Sequence, residues 1–542
     1  MIRRLSPSTL RAQDGFTMII AIGVMLVTSL LLVAAFTIAN GDVQNSYTST
    51  AQKQAYYSAL AGVQQYEYLL QANPDYWQTC AKVESSAETK SNPLAESGGR
   101  YVVTPLPAST APKGTTACST ENPFSTMIES TGTLANTFRI KSTGYAGGST
   151  KSTGASRSII ATFRVAGFLD YVYYTNFETE DPGLYETEST AAKELANECR
   201  GKYYSEWSVA KNKPACPAIN FISGDAVEGP MHTNDTALVS GAATFGRSGH
   251  VPKDVVELNG GTYGSAAGCK SSAIYNTATG CYTTTGPTLT PPPNDTSLSA
   301  YVEPEYEYSG MTRIELKGTE MNVTTYSESN GAEIKKTGVK LPANGLIYVQ
   351  PNNKGCGWSF SSESSNTDAS GEETGAKGCG DVYVSGNYSS SLTIAGQNNV
   401  IVNGNIYPTS VAGKLGSTPS GTAVLGLIAG EYVRLYHPCS GGINGSGSLS
   451  NPYIYAAILA TSHSWIVDNP RCGKSLGELN VYGAIGQNYR GIVGTSGGSG
   501  GSTGYLKGYE YDDRLATDEP PYFLAPLKAG WKIVRETAPA PG

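Results

Sequence analysis

The stretch "GDVYVSGNYSSSLTIAGQNNVIVNGNIYP", Gly380 to Pro408, decides how most of this chain folds. Val382 and Val384 precede Gly386, Leu392 and Ile394 precede Gly396, and Val400 and Val402 precede Gly404, with Ile406 following. Each unit reads apolar, any, apolar, any, glycine, and the units start at 382, 392 and 400, spacings of ten and eight residues. Period-two alternation marks extended strands. Strands this short cannot bury a face alone, whereas strands stacked as rungs share one continuous core. The same style runs through "INFISGDAVEGPMHTNDTALVSGAATFG" (219–246), "LGLIAGEYVRLYH" (425–437), "PYIYAAILAT" (452–461) and "LNVYGAIGQNYRGIVG" (479–494). "VYGAI" (481–485) echoes "VNGNI" (402–406). The expectation is a glycine-rich, parallel β-helix or solenoid-like domain over 216–495, its body at about 216–250 and 380–495. Because the period is imperfect, a β-sandwich is the alternative. Residues 251–380 are expected to be an insertion. Within it "TGPTLTPPPNDTS" (285–297) holds three prolines that enforce extended backbone, and "SFSSESSNTDASGEETGAKG" (359–378) reads as a polar loop.

Outward toward the N-terminus, residues 76–215 read as a head built of strands. "GGRYVVTPL" (98–106), "NTFRIKSTGYAGG" (136–148) and "SRSIIATFRVAG" (156–167) each alternate, with Phe138 and Ile140 against Arg139 and Lys141, and Ile159, Ala161, Phe163 and Val165 in step. The Gly/Ser/Thr-rich "GYAGGSTKSTGAS" (144–156) predicts a long hairpin loop. The tyrosines of "FLDYVYYTNFETEDPG" (168–183) read as half-buried strand positions rather than as a sugar-binding patch. Before the head, "NSYTSTAQKQAYYSALAGVQQYEYLLQANPDYW" (45–77) places Ala55, Ala59, Val63 and Tyr66 on one helical face, flanked by Leu60 and Leu70, and Asn73-Pro74 ends the run. Toward the C-terminus, "GTSGGSGGSTG" (494–504) is linker composition. Residues 496–542 are expected to be linker and docking tail, with Phe523, Leu524 and Trp531 returning to the body.

The first forty residues set the topology. Phe16 to Ala39 carries no charge, three arginines (Arg3, Arg4, Arg11) precede it and Asp42 follows. Twenty-four helical residues span about 36 Å, enough for a hydrocarbon core of about 30 Å. The run is too long for a typical cleaved signal peptide, and the arginines place the N-terminus in the cytoplasm. The junction "DGFTMII" (14–20), with its short basic leader, resembles the cleavage site of type IV prepilins. That resemblance implies cutting after Gly15 by a prepilin peptidase and N-methylation of Phe16, so that residues 1–15 are lost and the helix of 16–75 survives. The plain alternative is an ordinary signal anchor. "YYSALAGVQQ" (56–65) looks like the post-membrane helix of large minor pilins and minor pseudopilins. "GPMHTND", "LGLIAGEYVRLYH", "YAAILA" and "YDDRL…PPYF" resemble the C-terminal region of large PilX-type minor pilins. Major pilins carry glutamate at the fifth mature position, and this chain has Ile20 there. A carboxylate in lipid needs a partner, so its loss argues against a bulk fibre subunit and fits a minor pilin. The fold class expected is α+β, mainly β: a long membrane-spanning helix of about 80 Å, a pilin-like head, then the β-helix-like ectodomain. The implied partners are other pilins through the helix, the peptidase, the membrane assembly platform with its separate ATPase, and a surface or glycan ligand. The implied location is the cytoplasmic membrane, then a fibre or the cell surface.

Composition bounds the remaining choices. A chain of 542 residues is expected to hold two or three domains. Charged residues make up 15%, net charge is −7, and no basic block follows the leader, so nucleic acid has no electrostatic purchase. The 63 glycines and 35 tyrosines suit an extracellular, turn-rich β protein. Ten cysteines all follow the apolar run, and oxidising compartments permit disulfides. Pairing each with its next neighbour gives Cys80–Cys118, Cys199–Cys216, Cys269–Cys281, Cys356–Cys379 and Cys439–Cys472, a preference that sequence alone leaves open. No C-x-x-C occurs and the four histidines (His232, His250, His437, His463) are scattered, so a structural zinc site is not expected. No P-loop or dinucleotide fingerprint appears, and no cofactor is expected. Candidate chemistry is thin. Asp512 and Asp513 are adjacent, with Asp518 and Glu519 beyond, but neighbouring residues point apart and the stretch reads as a turn. "GTSGG" (494–498) imitates a serine nucleophile motif inside glycine–serine repeats. His232, Asn234 and Asp235 in "MHTND" read as an Asn/Asp turn before they read as a metal site. A non-enzymatic subunit is therefore expected, the competing class being a membrane-anchored glycan-binding or glycan-cleaving β-helix protein.

Overall fold

The computed structural model describes residues 16–73, 76–84, 99–108, 118–120, 126–128, 137–146, 155–185, 189–204, 206, 216–217, 219–250, 254–264, 282–284, 286–357, 376–496, 502–527 and 531–538. The chain is α+β, mainly β, and divides into two compact units. One comprises Met1–Thr131, Ala135–Arg164 and Lys532–Gly542; the other comprises Gly132–Leu134 and Val165–Trp531.

The first unit is organised by helix α1, Phe16–Ala72, of 57 residues. Proline-free sequence lets it run unbroken, and it stops at the predicted Asn73-Pro74. Its two halves differ. From Met18 to Val43 every side chain is exposed, whereas Ala55, Ala59, Val63, Tyr66 and Leu70 are buried. The buried stripe lies on an antiparallel sheet whose strands run in the order Val83–Glu84, Arg100–Leu106, Thr137–Tyr145, Ser156–Val165, with Trp531–Thr537 at the far edge. Phe138 and Phe163 stack with centroids 5.2 Å apart, and Tyr66 and Trp77 close over Phe138 at 6.2 and 5.8 Å. Small residues bring helix and sheet together. The Ser142 hydroxyl donates to the Ala59 carbonyl at 2.7 Å. A Cβ on Gly144 would run into the main chain of Ala55 and Ala59.

Among the described residues the second unit holds three long ladders of parallel strands, beside a short parallel sheet of Phe221–Ile222, Ala237–Ser240 and Thr262–Gly264. The first can be followed through the in-register residues Ile347, Ile394, Leu427, Ile458, Ile485, Tyr173, Met231 and Val256. All are buried, each contributing about 1.5–3 kcal/mol of apolar transfer. The second passes through Ile314, Val384, Val402, Leu435 and Val467. The third passes through Gly386, Ile406, Ile454, Val481, Tyr509, Val227 and Phe245. Gly386 has φ +103°, and a Cβ there would strike the Leu316 carbonyl, which is why glycine stands at this corner. At the free end of the second ladder, Thr312–Gly318 continues into an antiparallel meander with Glu320–Tyr326 and Glu333–Lys340.

The stacking order is not the chain order. The strand Tyr173–Glu180 enters beside Ser475–Arg490, and Thr503–Tyr511 lies between Ser475–Arg490 and Ala226–Glu228. The early segment (173–258) thus continues a stack whose other part is built by the late segment (307–511).

Several expected boundaries shift. The head ends near Val165 rather than at 215, because the tyrosine-rich strand from Tyr173 joins the ladders. The expected insertion at 251–380 contributes the ladder strands Val256–Leu258, Glu307–Ser309, Thr312–Gly318 and Leu346–Gln350. Two of them carry the same unit as the others, Val256 and Leu258 before Gly260, and Ile314 and Leu316 before Gly318. In the tail, Thr503–Tyr511 is a ladder strand, Phe523 and Leu524 pack on the core as expected, and Trp531 opens the edge strand of the other unit's sheet.

Replacing Gly144 by Val forces the helix off the sheet and is expected to cost about 3 kcal/mol or more. Chemical denaturation of the purified protein measures it, and an unchanged midpoint would contradict the packing described.

Candidate functional site

Two features can carry function: the bare half of α1 and the joint between the two ladder segments. The bare half is long and apolar enough to cross a membrane. Met18, Leu32 and Phe36 are 70%, 70% and 68% exposed, a continuous apolar surface far beyond what a soluble monomer presents. Ile20 is exposed like its neighbours. Phe16 opens the helix, and Gly15 with the rest of the leader lies outside the described residues.

The joint is stitched by buried charge. Arg490 donates to Glu178 at 2.7 Å, with the two side chains 1% and 0% exposed. Lys507, also buried, donates to Asp225 at 2.7 Å, and at the surface the exposed Arg471 donates to the buried Glu180 at 2.6 Å. Each pair joins the early segment to the late one. The Arg490 guanidinium also lies 3.7 Å from the centroid of the Phe221 ring, a cation–π contact that shields it. Burial lowers the Lys507 ammonium below the usual lysine range even though Asp225 opposes it. Sequence reasoning missed this set. Its one trace is a lone basic residue inside an otherwise apolar or aromatic strand, in "GQNYRG" and "GYLKGYE".

Beside these pairs lies a cleft of about 320 Å³. Tyr505, Ile492 and the Glu180–Arg471 pair help to line it, with Ser475, Thr495 and Thr503 around it. Thr495 and Thr503 share a 2.6 Å hydrogen bond, and Thr503 is also within 2.7 Å of the Pro470 carbonyl. These hydroxyls are therefore occupied in holding the loop.

A third cluster surrounds His463. Its Nδ1 is 2.9 Å from Asp181 Oδ1 and its Nε2 is 2.9 Å from Glu431 Oε2, with the Tyr432 ring stacked on it at 4.4 Å. Burial alone would lower the imidazole pKa, but the two carboxylates outweigh burial and push it up to about 10. Ser464 also reaches this cluster, but its hydroxyl donates to Asp181 and not to the histidine. The arrangement is thus an ion-paired imidazolium, not a nucleophile with its base.

The sequence candidates fall as follows. Cys80–Cys118, Cys199–Cys216, Cys356–Cys379 and Cys439–Cys472 are disulfide-bonded, and Cys269 and Cys281 lie outside the described residues. Asp512 accepts from Arg514 and Asp513 from Arg247, so the adjacent carboxylates serve separate arginines. Asp518 accepts a 3.3 Å bond from Thr517, and Glu519 is exposed. Thr495 of the "GTSGG" run sits in a short strand paired with Thr503, Ser496 is exposed, and residues 497–501 lie outside the described residues. His232 is fully buried between Glu257 (2.8 Å) and Asn234 (2.9 Å). Asp235 accepts backbone N–H groups of Glu178, Tyr204 and Thr236, and burial pushes its carboxyl up to about 6. Neither residue faces solvent. Tyr173 and Tyr174 lie in the strand, and with Tyr171, which precedes it, they are fully buried rather than half-buried as expected. Among the described residues no group of three or more His, Cys, Asp or Glu side chains could hold a metal.

Two outcomes follow from the buried charges. Arg490→Met leaves Glu178 uncompensated and is expected to cost about 3–5 kcal/mol, whereas Arg490→Met with Glu178→Met recovers most of it; urea denaturation of the three variants measures the coupling. His463 holds its proton more tightly when folded, so its contribution is complete below the unfolded pKa of about 6.5 and disappears as pH rises through about 10. The wild-type protein should lose stability across that window, and His463→Gln, already weakened at pH 7, should show a flatter profile. Comparison with known proteins adds no identity: no family model, no curated protein and no solved structure matches the chain.

Proposed function

We propose that this chain is a minor pilin of a type IV pilus-like fibre, cut after Gly15, held by α1 and displaying a large β ectodomain. The observation that carries this reading is the divided helix. Its first half is apolar and bare, suited first to lipid and then to packing among like helices. Its second half is the buried spine of an antiparallel sheet. A plain membrane anchor does not need a helix that continues, without a break, into the core of a folded unit.

In this reading the three parallel ladders form a β-helix-like body, and the protein is a structural rather than an enzymatic subunit. The body is too bulky to repeat at every position of a fibre. With Ile20 in place of a charged partner group, this favours a tip or priming subunit, with adhesion as a further role of the exposed body. Assembly would draw on other pilins, a prepilin peptidase and a membrane platform. The disulfides fit an oxidising location outside the cytoplasm.

Mass spectrometry of the N-terminus of the membrane and filament fractions tests this. The expected chain begins at N-methylated Phe16, and Gly15→Val retains its leader while still inserting. An intact leader on the wild-type chain in cells with an active prepilin peptidase, or an exported chain lacking the helix, would overturn the reading.

A further inference from the structure

Among the described residues Lys507 is the one buried lysine. It stands in the strand Thr503–Tyr511 between Tyr505 and Tyr509, all three turned inward, whereas Leu506 is exposed. Gly508 pairs with Ala226 across the joint, so the parallel register sets Lys507 beside Asp225. Its Nζ donates to Asp225 Oδ2 at 2.7 Å, with the two side chains 7% and 0% exposed. The Asp225 carboxylate takes two more hydrogen bonds, from the Lys507 N–H onto Oδ1 at 3.1 Å and from the Ile222 N–H onto Oδ2 at 3.0 Å. Main chain and ladder together hold the two groups in one geometry.

The surroundings work against the charged state of the lysine. Burial comes first and weakens its hold on a proton, and the Arg490 cation adds to this, although Asp225 and Glu178 oppose both. The Arg490 guanidinium and the Lys507 nitrogen lie 3.7 and 5.8 Å from the centroid of the same Phe221 ring. Arg490 keeps its charge and its own carboxylate, Glu178, at 2.7 Å. A lysine can give its proton up, and a desolvated lysine beside a second cation becomes a nucleophilic amine. Two opposed charges held out of water are also costly, whereas an amide in their place carries none.

We propose that Lys507 and Asp225 join in an intramolecular isopeptide bond that closes the joint between the early and late segments covalently. The 2.7 Å hydrogen bond puts Nζ about 3–3.5 Å from Cγ, a near-attack separation. The ammonium passes one proton to Oδ2. The freed lone pair adds to Cγ and moves the C=O electron pair onto Oδ1, where the Lys507 N–H receives the charge. A second proton passes from nitrogen to Oδ2, the Cγ–Oδ2 bond breaks and one water leaves. Oδ1 returns to a carbonyl, and the nitrogen keeps its last hydrogen. No oxidant, cofactor or external base is consumed. Lys507 and Ile222 both line the cleft beside the joint, which gives the water an exit. The bond ties residues 282 positions apart, so tension along the chain cannot unzip the joint.

The test uses the full-length protein purified in detergent and held at pH 7.5, then reduced, denatured and digested with trypsin. Mass spectrometry of wild type should find a branched peptide joining the segments around Asp225 and Lys507. It should be lighter than its two arms by one water, with no cleavage after Lys507. Lys507→Arg keeps a cation opposite Asp225 but has no amine to acylate, and should give only linear peptides. Asp225→Ala should restore cleavage after Lys507. A wild-type protein that yields only linear peptides, cut after Lys507, holds a plain ion pair and overturns the proposal, as does a branched peptide that persists in Asp225→Ala. The wild-type result requires no variant to fold, and none of these outcomes bears on cleavage at Gly15.

Discussion

A stack of parallel strands is open at both ends, and each open end presents unpaired N–H and C=O groups. This body depends on one joint where two such ends are closed on each other: Ile485 pairs with Tyr173, and Tyr509 with Val227. Without it the early segment would be a short stack with an exposed edge, and the late segment would end in mid-core. With it, the apolar column from Ile347 to Val256 is unbroken. The buried pairs Arg490–Glu178 and Lys507–Asp225 occupy this same joint. Buried ion pairs add little net stability over apolar residues of similar size, but they penalise any mispaired register by stranding a charge. Their placement is therefore better understood as a device that selects the correct partner and register.

The first unit obeys a simpler constraint. A helix can lie close on a sheet only where side chains are small, and Gly144, Ser142 and Ala59 supply that closeness. The rest of the helix needs no such partner within the chain. The same element thus serves as core spine at one end and as an apolar surface at the other, and the change occurs without a break in the backbone.

Much of this was legible in the residues themselves. The helix, its end at Asn73-Pro74 and the three long head strands follow from spacing and alternation, and the Val382–Ile406 run foretold short strands turning on glycine. Ladder membership was less legible for physical reasons. "YYTNFETE" does not alternate, because its polar residues are buried against other protein groups: Glu178 accepts from Arg490 and its backbone N–H donates to Asp235. "TRIELKG" looks like an ordinary two-faced strand because it sits at the end of a ladder, one neighbour parallel and the other antiparallel. Loops of unequal length, such as those after Pro408 and Leu435, erase a fixed period while leaving the register intact. The charged pairs of the joint are properties of partners brought from far along the chain, and no local pattern encodes them.

Entry at mid-stack has a consequence for biogenesis. The strand Tyr173–Glu180 emerges long before its neighbour, since Glu178 and Arg490 are separated by 312 positions. A chain synthesised from its N-terminal end therefore carries an unfinished rung until nearly the whole polypeptide has been made. Contacts so distant along the chain form slowly, and exposed strand edges invite wrong associations in the interval. The interval before that last strand arrives, rather than final stability, is where such an architecture is most vulnerable.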